Sequence, residues 1–351
     1  MNVVVKIGTS SITDDRGEIA QPAIEKLAAE VAGLRSQGHR VVIVTSGAIA
    51  AGLPALGLSG ARPSDVATLQ AVSAVGQSRL MAAYDAAVAR HGLVSGQVLL
   101  APLDFMQRSQ YLHARDTFHR LLDLGVVPVV NENDAVADDE IRYGDNDHLA
   151  ALVAHLIYSD LLILLTDTAG LHSADPRLIT DASLIEEIVE FDHELERMAS
   201  KLQAAKMASW SGIRTVIAAA ERPGVLSAAV AAEAGVGTVV RPRDRRLAAR
   251  KLWIAFAKPY SGVLEVDEGA RRALTERGTS LLPVGVVGVS GDFEAGDAVE
   301  IADKAGTVFA KGLVRMGAGD IRAASGRRSA ELPDGVPHEV VHRDDLVVTG
   351  Q

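Results

Sequence analysis

The sequence predicts an α/β protein: a mainly parallel sheet covered by helices on both faces, then a small C-terminal β-barrel. Three observations carry this. Over roughly the first 240 residues, short apolar β-branched runs alternate with longer stretches of helical periodicity. That is the pattern of a parallel sheet buried on both sides. Polar clusters fall at the C-terminal ends of those runs, where ligands of such sheets bind. After about Val263 the helical signals shrink, and short strands separated by Gly and Asp turns take over.

Val3–Ile7 reads as the first strand. Ile24, Leu27, Val31 and Leu34 share one face of a helix that Gly38 closes. Val41–Val44 is a strand running into Thr45-Ser46-Gly47. Ala67–Arg90 is a long alanine-rich helix, or a helix pair, with Gly76 inside it. Val94–Leu100 and Val126–Val130 are strands on either side of a helix at Tyr111–Leu124. A helix from His148 to Tyr158 precedes the apolar strand Leu161–Leu165. A hairpin-like region follows, with Leu184–Val189 extended. Next come a helix over Lys201–Ser209, a strand Thr215–Ala218, a helix Val225–Ala234 and a strand Val236–Val240. The charged, proline-containing Arg241–Ala249 marks a junction. The expected organisation is one domain over 1–245, a linker over 246–264 and a barrel with one leading helix, Gly269–Arg277, over 265–351.

Composition bounds the function. The chain has 351 residues, a formal net charge of −10 and no cysteine. The acidic balance argues against an electrostatic grip on nucleic acid or an anionic membrane. Lack of cysteine excludes disulfides, thiolate zinc sites, iron–sulfur clusters and cysteine nucleophiles. No leader pattern precedes the first strand, and no apolar run reaches the ~18 residues of a membrane helix. A soluble cytoplasmic protein is expected.

Four polar clusters define a candidate small-molecule site: Lys6-Ile7-Gly8-Thr9-Ser10, Thr45-Ser46-Gly47, Asn131–Asp134 and Thr166-Asp167. Lys6 leaves a buried strand beside a glycine that lets backbone N–H groups approach an anion; the alternative is an edge lysine reaching solvent. Ser46-Gly47 is open to the same two readings, site or ordinary turn. Asn131–Asp134 and Gly144–Asp147, both within one short stretch, argue more strongly for a site, and Asn146 or Asp147 can also cap the following helix. Lys201 by itself reads as a solvated helix lysine. Neither G-x-x-x-x-G-K-[ST] nor G-x-G-x-x-G follows the first strand. His148 and His155 share a helical face without a metal-ligand pattern, so no protein-held metal is expected. No serine has a G-x-S-x-G context.

Taken together, VVVKIGTSSIT, VVIVTSGAIAAG, NENDAV, GDNDHLAALVA, LLTDTAGLHSADPR and SKLQAAKMA resemble the glutamate 5-kinases of the amino-acid kinase superfamily. The segment GTSLLPVGVVGVSGDFEAGDAVEI with VVHRDDLVV resembles a PUA domain. The resemblance implies a three-layer αβα sandwich and transfer of phosphate from ATP, with Mg²⁺, to the side-chain carboxylate of L-glutamate. It further implies a homo-oligomer (dimer or tetramer) with L-proline as feedback inhibitor. Carried over by motif, Lys6 and Lys201 bracket the transferred phosphoryl group and Asp147 holds them. Ser46, Asp134 and Asn146 bind glutamate, with Asn131 and Asp145 close by. Gly8, Thr9 and Gly47 offer backbone N–H groups to the phosphates, and Thr166 and Asp167 lie along the nucleotide.

Two expectations remain beside this resemblance. Other members of the superfamily act on aspartate, acetylglutamate or carbamate, and a PUA domain raises the alternative of RNA binding or RNA modification. Against the latter, residues 265–351 hold fifteen acidic residues and ten basic ones, the wrong sign for a phosphate-binding surface, so RNA is not expected as a partner. There is also one departure. Glutamate 5-kinases carry a glycine-rich Thr-Gly-Gly-Met run just before the second lysine, whereas this chain has no glycine between Gly170 and Gly212. Either the protein has lost this loop and binds ATP differently or poorly, or a loop is omitted from the sequence, in which case Cα atoms between Asp192 and Met198 would stand further apart than the ~3.8 Å of a trans peptide.

Overall fold

The structure, a computed structural model, describes residues 1–14, 17–58, 63–101, 104, 105, 107–136, 146–172, 183–189, 191, 200–244, 246–257, 260–328, 331, 333 and 337–349. The region between Asp192 and Met198 and the residues Gly144 and Asp145 lie outside these. The chain forms two compact units, Met1–Arg246 and Leu247–Gln351.

The first unit is built on an eight-stranded sheet. Its strands are β1 (Asn2–Ile7), β2 (Arg40–Thr45), β3 (Ser95–Leu100), β4 (Val127–Glu132), β5 (Leu161–Thr166), β6 (Glu187–Ile188), β7 (Arg214–Ala219) and β8 (Thr238–Val240), in the order β3-β4-β2-β1-β5-β7-β8-β6. All pairings are parallel except β7 with β8. β1 lies inside the sheet between β2 and β5, with Lys6 opposite Val44 and Leu164. Successive side chains of a strand point to opposite faces. Val3, Val5 and Ile7 therefore pack with α2 (Gln21–Ser36), α4 (Val66–Ala89) and α8 (Val225–Ala231). Val4 and Lys6 face the other way, toward α6 (Asn146–Leu156), which is buried along almost its whole length. The layered α/β architecture expected from the sequence is the one observed.

Residues 66–89 form a single helix, the first of the two readings the sequence allowed. Other features differ from the sequence expectation. β4 continues through Asn131 and Glu132, because Leu99 and Leu100 of β3 extend the ladder past Val130. A helix α3 (Ala48–Ala55) follows Gly47; apolar on nearly every side and holding Pro54, it has no clear amphipathic period. The stretch 246–264 is not a free linker: it contains the helical turns Ala249–Leu252 and Trp253–Ala257 and the start of strand β9 (Tyr260–Val266).

The glycines in α3 and α4 explain how those helices pack. A Cβ on Gly76 would stand 1.7 Å from the Ala48 carbonyl oxygen, and one on Gly52 2.1 Å from that of Val72. Only hydrogen at both positions allows this approach. Helices α1 (Thr9–Ile12), α5 (Arg108–Asp123) and α7 (Ser200–Trp210) complete the unit.

The second unit has a sheet of its own, β10-β9-β11-β12-β13, with β10 (Val286–Gly291), β11 (Ala298–Ala302), β12 (Val308–Val314) and β13 (Val341–Val348). The helix Glu268–Arg277 is capped by Asp267, whose carboxylate accepts the Ala270 N–H at 2.7 Å, and ends at Gly278 in the left-handed region. A second helix, Ala318–Ala324, was not evident from the sequence. Leu264, Leu274, Phe293, Ile301, Phe309, Ile321 and Val341 belong to a core cluster distinct from that of the first unit.

Candidate active site

The C-terminal ends of β1, β2 and β4, with the starts of α3 and α6, enclose a cleft of about 550 Å³. That size suits a small-molecule site. Lys6, Gly8, Thr9, Ser46, Gly47, Asn131, Asp134, Asn146 and Lys201 all line it, so residues far apart in sequence come together here. Thr166 and Asp167 do not. They line a neighbouring cavity of about 430 Å³ at the same end of the sheet, with Lys26, Glu30 and Glu221. Ser10 borders both cavities. Asp145 lies outside the described residues.

A buried carboxylate forms the deepest feature. Asp147, in the first turn of α6, is fully enclosed. Its Oδ1 stands 2.6 Å from Lys6 Nζ and its Oδ2 3.0 Å from Lys201 Nζ. These are charge-assisted hydrogen-bond distances. The positive end of the helix favours a carboxylate at this position. Lys6 is 1% exposed and Lys201 22%; both border the cleft, and Lys201 meets more of its solvent. Together the three groups carry one net positive charge at the end of a central strand.

Amides form the other half. Asn146 Nδ2 donates to the Thr45 carbonyl and, at 2.6 Å, to Asn131 Oδ1. Asn131 Nδ2 donates to Gln77 Oε1 at 2.8 Å. The Ser73 hydroxyl donates to Asp134 Oδ2 at 2.7 Å. Tyr84 and Thr45 share a hydrogen bond of 2.8 Å, and burial pushes the Tyr84 phenol far above its ordinary range, so it stays protonated. Gly47, at φ +95°, turns the chain from β2 into α3 in a conformation that side chains disfavour.

Ser73, Gln77 and Tyr84 do not stand out in the sequence as site residues. A signal was there: Ser73 and Gln77 are polar residues four apart on the face of α4 that carries Leu69, Val72 and Leu80 into the core. What the sequence does not say is which polar groups they meet, 61 and 54 residues away.

No group of three His, Cys, Asp or Glu side chains suited to a metal is present among the described residues. The cleft's innermost carboxylate is already engaged by two ammonium groups. Among the described residues the cleft therefore offers no ready donor set for a protein-held Mg²⁺.

Comparison with known proteins agrees with this architecture. Residues 1–219 match the amino acid kinase family, and residues 262–336 match the PUA domain. A protein named glutamate 5-kinase from Trichlorobacter lovleyi is 43% identical over 363 positions, covering 99% of this chain and 96% of that protein. One of the same name from Frankia casuarinae is 45% identical, with 99% and 96% covered. An isopentenyl phosphate kinase structure superposes with a TM-score of 0.51 at 21% identity, over 68% of this chain and all of that one, which supports the fold alone. The Trichlorobacter alignment is longer than the 351-residue chain, so that relative holds residues with no counterpart here. With a family match over most of the chain and full-length relatives above forty per cent identity, this protein belongs to the amino acid kinase family, in the group of its glutamate 5-kinase relatives.

Proposed function

We propose that the protein transfers the terminal phosphoryl group of ATP to the side-chain carboxylate of L-glutamate, giving γ-glutamyl phosphate and ADP, the first step of proline synthesis. The observation that carries the reading is the buried Asp147 holding two lysine ammonium groups at the end of the central strand.

The chemistry needs no general base. A glutamate side chain, with a pKa near ~4.3, is already an ionised nucleophile at neutral pH. One carboxylate oxygen forms the new P–O bond, the bond to the bridging oxygen breaks, and ADP leaves with that electron pair. The difficulty is to bring an anion against a polyanion. Catalysis is then positioning plus stabilisation of charge on the transferred oxygens. Lys6 and Lys201 supply that charge, and Asp147 fixes their spacing before the nucleotide arrives. Backbone N–H groups at Gly8, Thr9 and Gly47 face the phosphates. Ser46, Asp134, Asn146 and Asn131 form the glutamate half, and Asp145 belongs with them by motif. Thr166 and Asp167 are proposed for the nucleotide, whose outer part then reaches the neighbouring cavity. Mg²⁺, arriving with the nucleotide, would add positive charge to the phosphate half of the site.

A homo-oligomeric state, dimer or tetramer, feedback by L-proline and a cytoplasmic location belong to the same proposal. No helix among the described residues is long and apolar enough to cross a membrane. The RNA reading gains no support from the acidic C-terminal unit. ADP release from ATP and L-glutamate, with and without L-proline, tests the proposal. Absence of glutamate-dependent ADP release would overturn it.

A further inference from the structure

We propose that Gln77 is a positioning residue: by accepting from Asn131 it holds the Asn131–Asn146 amide pair in place, so that Asn146, whose polarity the Thr45 carbonyl sets, keeps an acceptor turned to the substrate's α-ammonium group. The inference rests on the amino-acid kinase reading above and names a determinant of its substrate choice.

The relay is built from groups whose roles cannot be exchanged. The Thr45 carbonyl can only accept, so the Asn146 atom beside it is Nδ2. The second Nδ2 hydrogen goes to Asn131 Oδ1 at 2.6 Å. That oxygen also takes the Glu132 backbone N–H at 2.9 Å, a group that can only donate. Asn131 must therefore turn its Nδ2 toward Gln77, and Gln77 must present Oε1, 2.8 Å away. Backbone groups pin the relay at Thr45 and Glu132, and Gln77 terminates it.

Two consequences follow. Both hydrogens of the Asn146 amide are used, so Oδ1 is the part of that amide left for a ligand in the cleft it lines. Beside it Asp134 adds a carboxylate, one oxygen of which is held by Ser73. Two acceptors suit an ammonium group and disfavour a keto oxygen at the same carbon. Secondly, Gln77 Nε2 is buried with no partner among the described residues. A leucine or methionine would leave no such orphan, so packing alone does not account for a glutamine here. Its Oε1 does.

The test compares L-glutamate with glutarate, which lacks the amino group. For the full-length protein, glutamate KM and kcat are measured with ATP saturating, and glutarate Ki as a competitor of glutamate. Gln77→Leu removes the acceptor, and Gln77→Glu keeps one. Gln77→Leu is expected to lower the preference for glutamate over glutarate by about 10-fold or more, the size of one charge-assisted hydrogen bond. The loss should appear in glutamate KM, with ATP KM and glutarate Ki nearly unchanged. Gln77→Glu should retain most of the preference. If Gln77→Leu melts below the assay temperature, Gln77→Met replaces it. An unchanged preference in the folded leucine or methionine variant, or equal losses in it and Gln77→Glu, would overturn the proposal. If the wild type shows no glutamate turnover, the kinase reading fails separately. Thermal-shift titration of wild type and the leucine variant with the two ligands then decides the relay: wild type alone preferring glutamate supports it, and any other pattern overturns it.

Discussion

At the scale of residues, the two lysines on Asp147 differ in a way that predicts different phenotypes. Lys6 is 1% exposed and Lys201 22%. Removing either is expected to lower kcat by roughly 10²-fold or more, with a much smaller rise in glutamate KM, since each acts on transition-state charge. Near wild-type kcat in Lys6→Ala or Lys201→Ala would remove that lysine from the mechanism. Stability should separate them. Lys6→Ala breaks a fully buried pair and is expected to cost about 3 kcal/mol or more in urea unfolding. Lys201→Ala leaves Asp147 its buried partner and should cost far less. A second residue-scale prediction concerns His155, whose pKa burial, with a smaller contribution from Arg246, lowers to about 4. The unfolded chain binds this proton near pH ~6.5 and the native state does not until pH is lower. Stability is thus unaffected above that pH, and falls as pH drops from about 6.5 to about 4. The full effect is about 3 kcal/mol. His155→Gln should flatten that part of the stability–pH profile.

At the scale of elements, α4 organises the substrate half of the cleft. Ser73, Gln77 and Tyr84 lie along its buried side and meet Asp134, Asn131 and Thr45 respectively. The helix can do this because Gly76 brings it against α3 at backbone distance. Gly76→Ala puts a methyl group where the Ala48 carbonyl oxygen stands, so the helices must separate. We expect a loss of about 1–3 kcal/mol, the usual cost of overpacking, despite alanine's better helix propensity. Glutamate KM should rise with it, because Ser73 and Gln77 move with the helix. An alanine variant as stable as wild type would show that the crossing has slack. In the sequence, Gly76 is just a glycine inside an alanine-rich helix.

At the scale of the whole molecule, the two units have separate cores and separate sheets. Every described residue of the candidate site belongs to the first unit. Residues 1–246 alone are therefore expected to retain glutamate-dependent ADP release at a kcat within a few-fold of the full chain. Residues 247–351 should fold independently, as read by amide dispersion in NMR spectra. A boundary at 264 would fail this test, because it would cut through β9, which pairs with both β10 and β11.

The sequence by itself determined the alternation of strands and helices, and with it the layered sheet. Hydrophobic period is local information, and a strand buried on both faces must read as an unbroken apolar run. It also determined the sheet end at which to look, since Lys6, Ser46, Asn131 and Asp134 lie at the C-terminal ends of such runs and Asn146 opens the helix that follows. Only the tertiary structure decided who meets whom. Lys6 and Lys201 converge on Asp147 because strand pairing and helix packing bring them there across long stretches of chain. Gln77 reads as one more residue of a helix until Asn131 is found beside it. Thr166 and Asp167 follow a strand like the rest, yet line a different cavity, because β5 lies on the far side of β1 from β2 and β4. A residue's place along the chain sets which end of the sheet it reaches. Strand order, a long-range outcome of packing, sets which cavity.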